Sequence, residues 1–239
     1  MTRLHEAIVK TLVKDISSGV YAPGSTLPTE NELAEAHGVS RTAAREVMQT
    51  LRTLGLVEIR RRKGATVLPR RDWNMLDPTV LSLTIENASD LEVYRSLVEA
   101  RLAIEPRAAE LAARRADPAD LARIELALDA MAAEAQGTLG EGWPDADLAF
   151  HAAVIDASGN WVFRQLVVMI KAALEASIRL TGGHHDSSEA ALQQHRDVFN
   201  AIKRKQPEEA VAAMTWMLQG TRRDLEQLEK ARLAQASVR

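Results

Sequence analysis

The chain has no cysteine among its 239 residues. That excludes a disulfide framework, a Cys-based zinc finger and a cysteine nucleophile. Aromatic residues are also scarce, 4% against 46% apolar residues overall. The core must therefore be built from aliphatic side chains, rich in Ala and Leu, which suits helix packing better than a β-sandwich. No apolar run approaches the length of a membrane span, and the N-terminal MTRLHEAIVK lacks the apolar stretch of a secretory signal. A soluble, cytoplasmic chain with no membrane partner is expected.

A formal net charge of −3 hides an asymmetry. Residues 1–72 hold 12 Lys/Arg against 8 Asp/Glu, a net of +4, whereas 73–239 carry −7. Opposite signs in two segments suggest two modules with different partners. The expected division is a module over 1–72, a connector over 73–89 and a second module over 90–239.

In the first module, Leu4, Ile8, Leu12 and Ile16 recur every four residues, predicting a helix over 3–18 that Gly19 stops. Thr29-Glu30-Asn31-Glu32 has the S/T-x-x-E form of a capping box, so a second helix starts there. His37-Gly38 ends it about two turns later. Ser40 is placed to cap a third helix carrying Val47, Leu51 and Leu54 inward and ending at Gly55. Two short helices joined by a Gly-containing turn form a helix-turn-helix. Arg41 and Arg45, four apart on the second of them, share a face where base edges in the major groove are met. An arginine fork matches guanine O6 and N7. Ser40, Thr42 and Gln49 add hydroxyl and amide groups for phosphates or bases. Read alone, the two arginines are as readily a solvated helix surface.

Val57-Glu58-Ile59 and Thr66-Val67-Leu68 have strand character, with Arg60-Arg61-Arg62-Lys63-Gly64 between them. Four like charges on a hairpin tip repel one another unless an anion lies close, as along a nucleic-acid backbone. With this hairpin in place, Pro23-Gly24-Ser25-Thr26-Leu27-Pro28-Thr29-Glu30, Leu33-Ala34, Val39-Ser40-Arg41, Arg45 and Gly64-Ala65-Thr66-Val67 together resemble the winged helix of the GntR family, over residues 3–69. The resemblance implies that Arg41 and Arg45 read the major groove, and that Lys63 with Gly64 forms the wing contact in the minor groove; Arg62 beside them is a further DNA-binding candidate. It also places Asn31 where the family commonly has Arg, which implies an altered contact there.

Beyond Asp77-Pro78 the chain reads as helix after helix: 92–114, one capped by Asp117 with Pro118 at its first position, 144–157, 161–180, 189–203 and 207–233. Strand signals are nearly absent, predicting an all-α bundle of six or seven helices. The fold class is thus mostly α: a winged helix-turn-helix of three helices and a hairpin, then a helical bundle.

Asp147 and His151, four apart, project from one helix face, and His195 lies between Leu192 and Val198-Phe199. A carboxylate and two imidazoles gathered in a bundle suit a divalent ion such as zinc, nickel or manganese. By spacing alone, an Asp–His pair on a helix surface is the commoner arrangement. The same two readings apply to Arg101: a pocket cation, or an ordinary salt bridge to Glu105 one turn on. His184 and His185, flanked by Gly182-Gly183, read as a solvated loop.

Asp147-x-x-Phe150-His151, Ala157-Ser158-Gly159-Asn160 and Glu99-x-Arg101-x-x-Ile104-Glu105 resemble the FCD-type ligand-binding domain of the FadR subgroup, over about 90–230. In that subgroup an Asp and three His hold a metal whose coordination an organic acid completes. The resemblance assigns Asp147, His151 and His195 to three of those positions, whereas Met217 stands at the fourth. A thioether is a soft, neutral exchange for imidazole. Two arrangements remain open: a three-ligand ion, or an effector held by direct hydrogen bonds. Arg101 matches an arginine near the pocket in relatives, and Arg222 and Arg223 are placed to reach it from the last helix. Trp73-Asn74-Met75-Leu76-Asp77 and Thr221-Arg222-Arg223 resemble sugar-acid-responsive members, which implies an aldonate effector such as D-galactonate. Other small carboxylates are the alternative.

The expected function is therefore a ligand-responsive transcription factor, a repressor of sugar-acid catabolism, binding palindromic double-stranded DNA as a homodimer. Two alternatives compete with it. A helical metal-dependent hydrolase would use the Asp–His–His set to activate water but leaves the winged helix without a role. A constitutive architectural DNA-binding protein leaves the inward polar residues without one.

Overall fold

A computed structural model describes residues 3–60, 64–87, 91–135, 140, 142–181 and 188–236. The chain forms two compact units, Met1–Ser89 and Asp90–Arg239.

The first unit begins with α1 (Arg3–Ser17), α2 (Glu30–His37) and α3 (Arg41–Thr53). The apolar stripe of α1 is centred on Ile8, Val9, Leu12, Val13 and Ile16. Because the stripe is two residues wide, its extension toward the N-terminus falls on His5, which is buried, and not on Leu4, which is half exposed. Thr29 caps α2 in a reciprocal box: its side chain accepts from the Glu32 amide, and its own amide donates to Glu32 Oε2 at 2.7 Å. Gly38 closes α2 at φ 62°, a left-handed conformation that glycine adopts without penalty. Ser40 then caps α3 by accepting from the Ala43 amide at 3.1 Å.

Strands β1 (Val57–Arg60) and β2 (Gly64–Val67) pair antiparallel, Val57 opposite Val67 and Arg60 opposite Gly64. Residues 24–27 run along the outer side of β2. The Leu27 amide donates to the Ala65 carbonyl at 2.8 Å and the Val67 amide to the Ser25 carbonyl at 2.9 Å. Gly55 sits at φ 72° against the segment that follows the hairpin, and a Cβ on it would stand 2.8 Å from the Asp72 carbonyl oxygen.

The segment expected as a connector, 73–89, follows a 3-10 turn (Arg70–Asp72) and contains α4 (Pro78–Asn87). Trp73 and Val80 are buried in the core of the first unit, and Trp73 Nε1 donates to the Leu68 carbonyl at 2.9 Å.

The second unit is a bundle of α5 (Leu91–Arg115), α6 (Pro118–Glu134), α7 (Trp143–Ala157), α8 (Trp161–Arg164), α9 (Val167–Thr181), α10 (Ser188–Lys203) and α11 (Pro207–Ala236). These are seven helices among the described residues. Asp117 caps α6 in a second reciprocal box with Asp120. The helix expected over 161–180 is two. At the break, the amides of Gln165 and Leu166 bond back three residues, to Val162 and Phe163, a tightening that ends α8. Neither Gly nor Pro marks it, so the pattern carried no signal. The core is Ala-rich where helices approach closely (Ala109, Ala112, Ala113) and is filled by Ile124, Met131, Phe150, Val154, Phe199 and Met214. No described helix is long and apolar enough to cross a membrane.

Candidate functional site

In the bundle, α5, α7 and α10 bring their polar residues to one place. Asp147 and His151 share a face of α7 beside buried Phe150 and Val154. His195 enters from α10, its ring set edge-on to Phe150 with centroids 4.9 Å apart and edge-on to Trp143 at 6.3 Å. Aromatic packing on both neighbours holds the imidazole in one orientation. His195 Nδ1 lies 2.8 Å from the Ala191 carbonyl and Nε2 3.0 Å from Asp147 Oδ1, so both ring nitrogens face acceptors. The same Asp147 oxygen lies 3.2 Å from His151 Nε2.

Arg101, on α5, reaches the cluster with a side chain only 3% exposed. Its Nε donates to Glu105 Oε1 at 2.5 Å, and its Nη2 lies 3.0 Å from His151 Nε2. Glu105 Oε2 in turn lies 2.5 Å from His151 Nδ1. The two sequence readings of Arg101 therefore coexist: it pairs with Glu105 one turn away and also faces the pocket. Through Nε2, His151 serves one of two neighbours. Neutral, it accepts from Arg101; protonated, it donates to Asp147.

The electrostatics follow from burial against pairing. Burial pushes the Glu105 carboxyl up, but Arg101 and then His151 outweigh it and bring it down to about 2. Burial also raises Asp147, and the hydrogen bonds of His151 and His195 reverse this, leaving it well below the usual carboxylate range. For Arg101, burial opposes the charge and Glu105 restores it, so the guanidinium is held charged above its ordinary value. Burial and Arg101 lower His151, and Glu105 and Asp147 together reverse this and leave it above its ordinary value.

Arg101, Asp147, His151 and His195 line a cavity of about 100 Å³ together with Met217, Ser177, Gln194, Thr221 and Asp224. The nearest donor atoms of Asp147, His151 and His195 lie within 4.8 Å of one another. As a set of one oxygen and two nitrogens they fit three ligands of a zinc-, nickel- or manganese-like ion, which would supply a Lewis-acidic anchor for a carboxylate. The fit stops at three, because Met217 lines the pocket as a soft donor and Arg101 already faces the His151 lone pair. Arg222 is not brought into the cavity: it is half exposed and faces Glu226 at 3.8 Å. His184 and His185 lie outside the described residues.

Sequence reasoning missed Ser177, Gln194 and Asp224 as lining. A signal existed on α11, where Met217, Thr221 and Asp224 follow the i, i+4, i+7 spacing of one helix face.

In the first unit, Arg41, Thr42 and Arg45 are exposed on α3, opposite buried Ala44, Val47, Met48 and Leu51. Arg41 Nε lies 3.6 Å from Glu30 Oε2 with its side chain 72% exposed, a loose contact that leaves the guanidinium available. Ser40 spends its hydroxyl on the α3 cap, and Gln49 is half-buried. Asn31, Arg41, Arg60 and Gly64 border one groove between the start of α2, α3 and the hairpin. Arg62 and Lys63 lie outside the described residues.

A capped helix-turn-helix with an outward arginine face, in one chain with a bundle enclosing a charged pocket, defines a ligand-responsive DNA-binding regulator. Comparison with known proteins agrees. Residues 4–67 match the model of bacterial regulatory proteins of the gntR family, and residues 96–220 match the FCD domain. The chain is 39% identical over 220 residues to the galactonate operon transcriptional repressor of Escherichia coli K12, covering 91% of this chain and 95% of that one. It is 33% identical to the HTH-type transcriptional regulator LutR of Bacillus subtilis 168, covering 83% and 90%. Among solved structures, a GntR protein of Streptococcus agalactiae superposes with a TM-score of 0.51 at 26% identity, covering 92% of this chain and 99% of that one. The chain belongs to the GntR family and carries an FCD effector domain; it is a transcriptional regulator and not an enzyme.

Proposed function

We propose that this regulator is a homodimeric repressor that binds a palindromic operator through its winged helices and leaves it when an aldonate such as D-galactonate enters the bundle. One observation carries the reading: a charged cluster of Arg101, Asp147, His151 and His195 lining a cavity of the bundle, with Arg101, His151 and His195 buried. Buried charges are costly unless paired, and these are paired in a way that leaves donors facing a cavity. Arg101 is the anchor for the acid, since its fork matches a carboxylate, and the two imidazoles add donors. The acid is held by these protein groups directly, and a divalent ion at Asp147, His151 and His195 is not required for it. The likeness to a galactonate operon repressor supports the choice of acid.

On DNA, Arg41 and Arg45 read base edges, while Ser40, Thr42, Asn31 and Gln49 and the wing residues Arg62, Lys63 and Gly64 position the unit. The two-fold symmetry of a dimer matches a palindrome. Such a repressor acts in the cytoplasm. The effector releases DNA by binding more tightly to the arrangement that fits the operator poorly.

The test is a thermal-shift titration with D-galactonate and other aldonates, with and without EDTA. A rise in the melting midpoint with one acid, unchanged by EDTA, is expected from linkage. No rise with any aldonate would overturn the sugar-acid assignment, and a rise abolished by EDTA would overturn the metal-free mode.

A further inference from the structure

Glu30 borders the groove between the start of α2, α3 and the hairpin, together with Asn31, Arg41, Arg60 and Gly64. It is the first residue of α2, but the cap of that helix is made by Thr29 and Glu32. An acid in a first helical turn has an ordinary role, complementing the helix dipole. Here its Oε2 also lies 3.6 Å from Nε of Arg41, the first residue of α3. On the hairpin side Arg60 is arranged alike, its Nε 2.9 Å from Glu58 Oε2. Two arginines that border one groove thus each carry a carboxylate on the Nε side.

A carboxylate on a surface that meets phosphates weakens binding to DNA of every sequence. That cost has to be set against its effect on the neighbouring arginine. An arginine on a long flexible stem is free to swing to the nearest phosphate, a contact that carries no sequence information. Glu30 engages the Nε side of the Arg41 guanidinium and leaves the two Nη groups for another partner. Those two groups form a fork that matches guanine O6 and N7. The pair is loose while water fills the groove. It tightens when DNA covers the groove, because excluding water strengthens the attraction.

We propose that Glu30 is a positioning residue of the DNA interface: by holding Arg41 through Nε, it directs that arginine to a guanine of the operator and away from phosphate. Its contribution is to selectivity and not to affinity, since a site becomes selective by disfavouring wrong partners as well as by favouring the right one. The proposal rests on the base-reading role of Arg41 given above.

The experiment follows fluorescence anisotropy of the full-length protein on two duplexes at one salt concentration, since both affinities depend on salt. One duplex is an operator selected by the wild-type protein from random sequences. The other is a scrambled duplex of the same composition. The specificity ratio is the affinity for the first divided by that for the second. Glu30→Ala is expected to bind the scrambled duplex more tightly than wild type and to lower the ratio by about tenfold. In the Arg41→Ala background the same substitution is expected to leave the ratio unchanged. Circular dichroism of Glu30→Ala is expected to match wild type, because the cap formed by Thr29 and Glu32 remains.

A ratio unchanged by Glu30→Ala, with both duplexes bound more tightly, would overturn the proposal and reduce Glu30 to a repelling charge. An equal fall of the ratio in the Arg41→Ala background would overturn it too, since Glu30 would then act without Arg41. So would a fall that comes with lost helix signal, because Glu30 would then serve the fold. If Arg41→Ala alone keeps the wild-type ratio, the base-reading role of Arg41 itself fails, and the proposal falls with it.

Discussion

Arg101 and Glu105 stand one turn apart on α5 as an ion pair of 2.5 Å, their side chains 3% and 1% exposed. Neither charge has water to fall back on, and the pair is completed by His151, which touches both. Removing one partner leaves the other as an uncompensated buried charge. Arg101→Leu or Glu105→Leu is therefore expected to destabilise the bundle by about 3–5 kcal/mol. The double replacement by leucine is expected to lose less than the sum of the singles. Urea unfolding of the four proteins checks this; additive losses would show that the two residues are not coupled.

The recognition helix yields a separable prediction. Arg45 is exposed on α3, away from the buried Val47 and Leu51, so its loss leaves the fold intact. Arg45→Ala is expected to weaken operator binding by about 1–3 kcal/mol, which is roughly 5- to 150-fold. Circular dichroism and effector binding are expected to stay unchanged. Operator affinity equal to wild type would remove Arg45 from the interface.

Met217 sets the third prediction. With three ligand atoms and a thioether in place of the fourth, wild-type protein is expected to lose any ion on dialysis against EDTA. Met217→His restores a borderline nitrogen donor and is expected to raise zinc affinity by about tenfold or more. A stoichiometric ion retained by wild type through dialysis, measured by elemental analysis, would contradict this.

The start of α2 is tested by Thr29→Ala, expected to lower stability of the first unit by about 1 kcal/mol through loss of the cap. Its pH dependence has a definite sign. The Thr29 amide and then the Thr29 hydroxyl hold the Glu32 carboxyl below its ordinary value of 4.5. A group depressed by folding stabilises the fold above its unfolded pKa and loses that contribution as pH falls through the folded one. Glu32→Gln is therefore expected to flatten the stability profile below about pH 5 and to leave neutral-pH operator binding unchanged.

Local chemistry was the legible part of the sequence. The capping box at Thr29, the left-handed stop at Gly38 and the Ser40 cap each involve residues within four positions, and all three are found. Asp147 and His151 were legible for the same reason, as an i, i+4 pair. His195 was legible as an imidazole among apolar residues and Arg101 as one turn from Glu105, but 48 and 50 residues of chain separate each from its contact in the cluster, so their meeting had no local signal. What stayed hidden depends on tertiary packing. The third polar strand-like segment at 24–27, the exposure of Leu4 and the break before α9 have no marker residue.

If the charged pocket of the bundle controls the winged helix, filling it must release the operator. A fluorescent operator duplex, selected from random sequences by the protein itself, is held in complex while D-galactonate is titrated and anisotropy is followed. Release of DNA from wild-type protein is expected, with no release from the His151→Ala protein, which still binds DNA. Anisotropy that stays constant with wild type at saturating acid, or that falls equally with His151→Ala, would contradict the account.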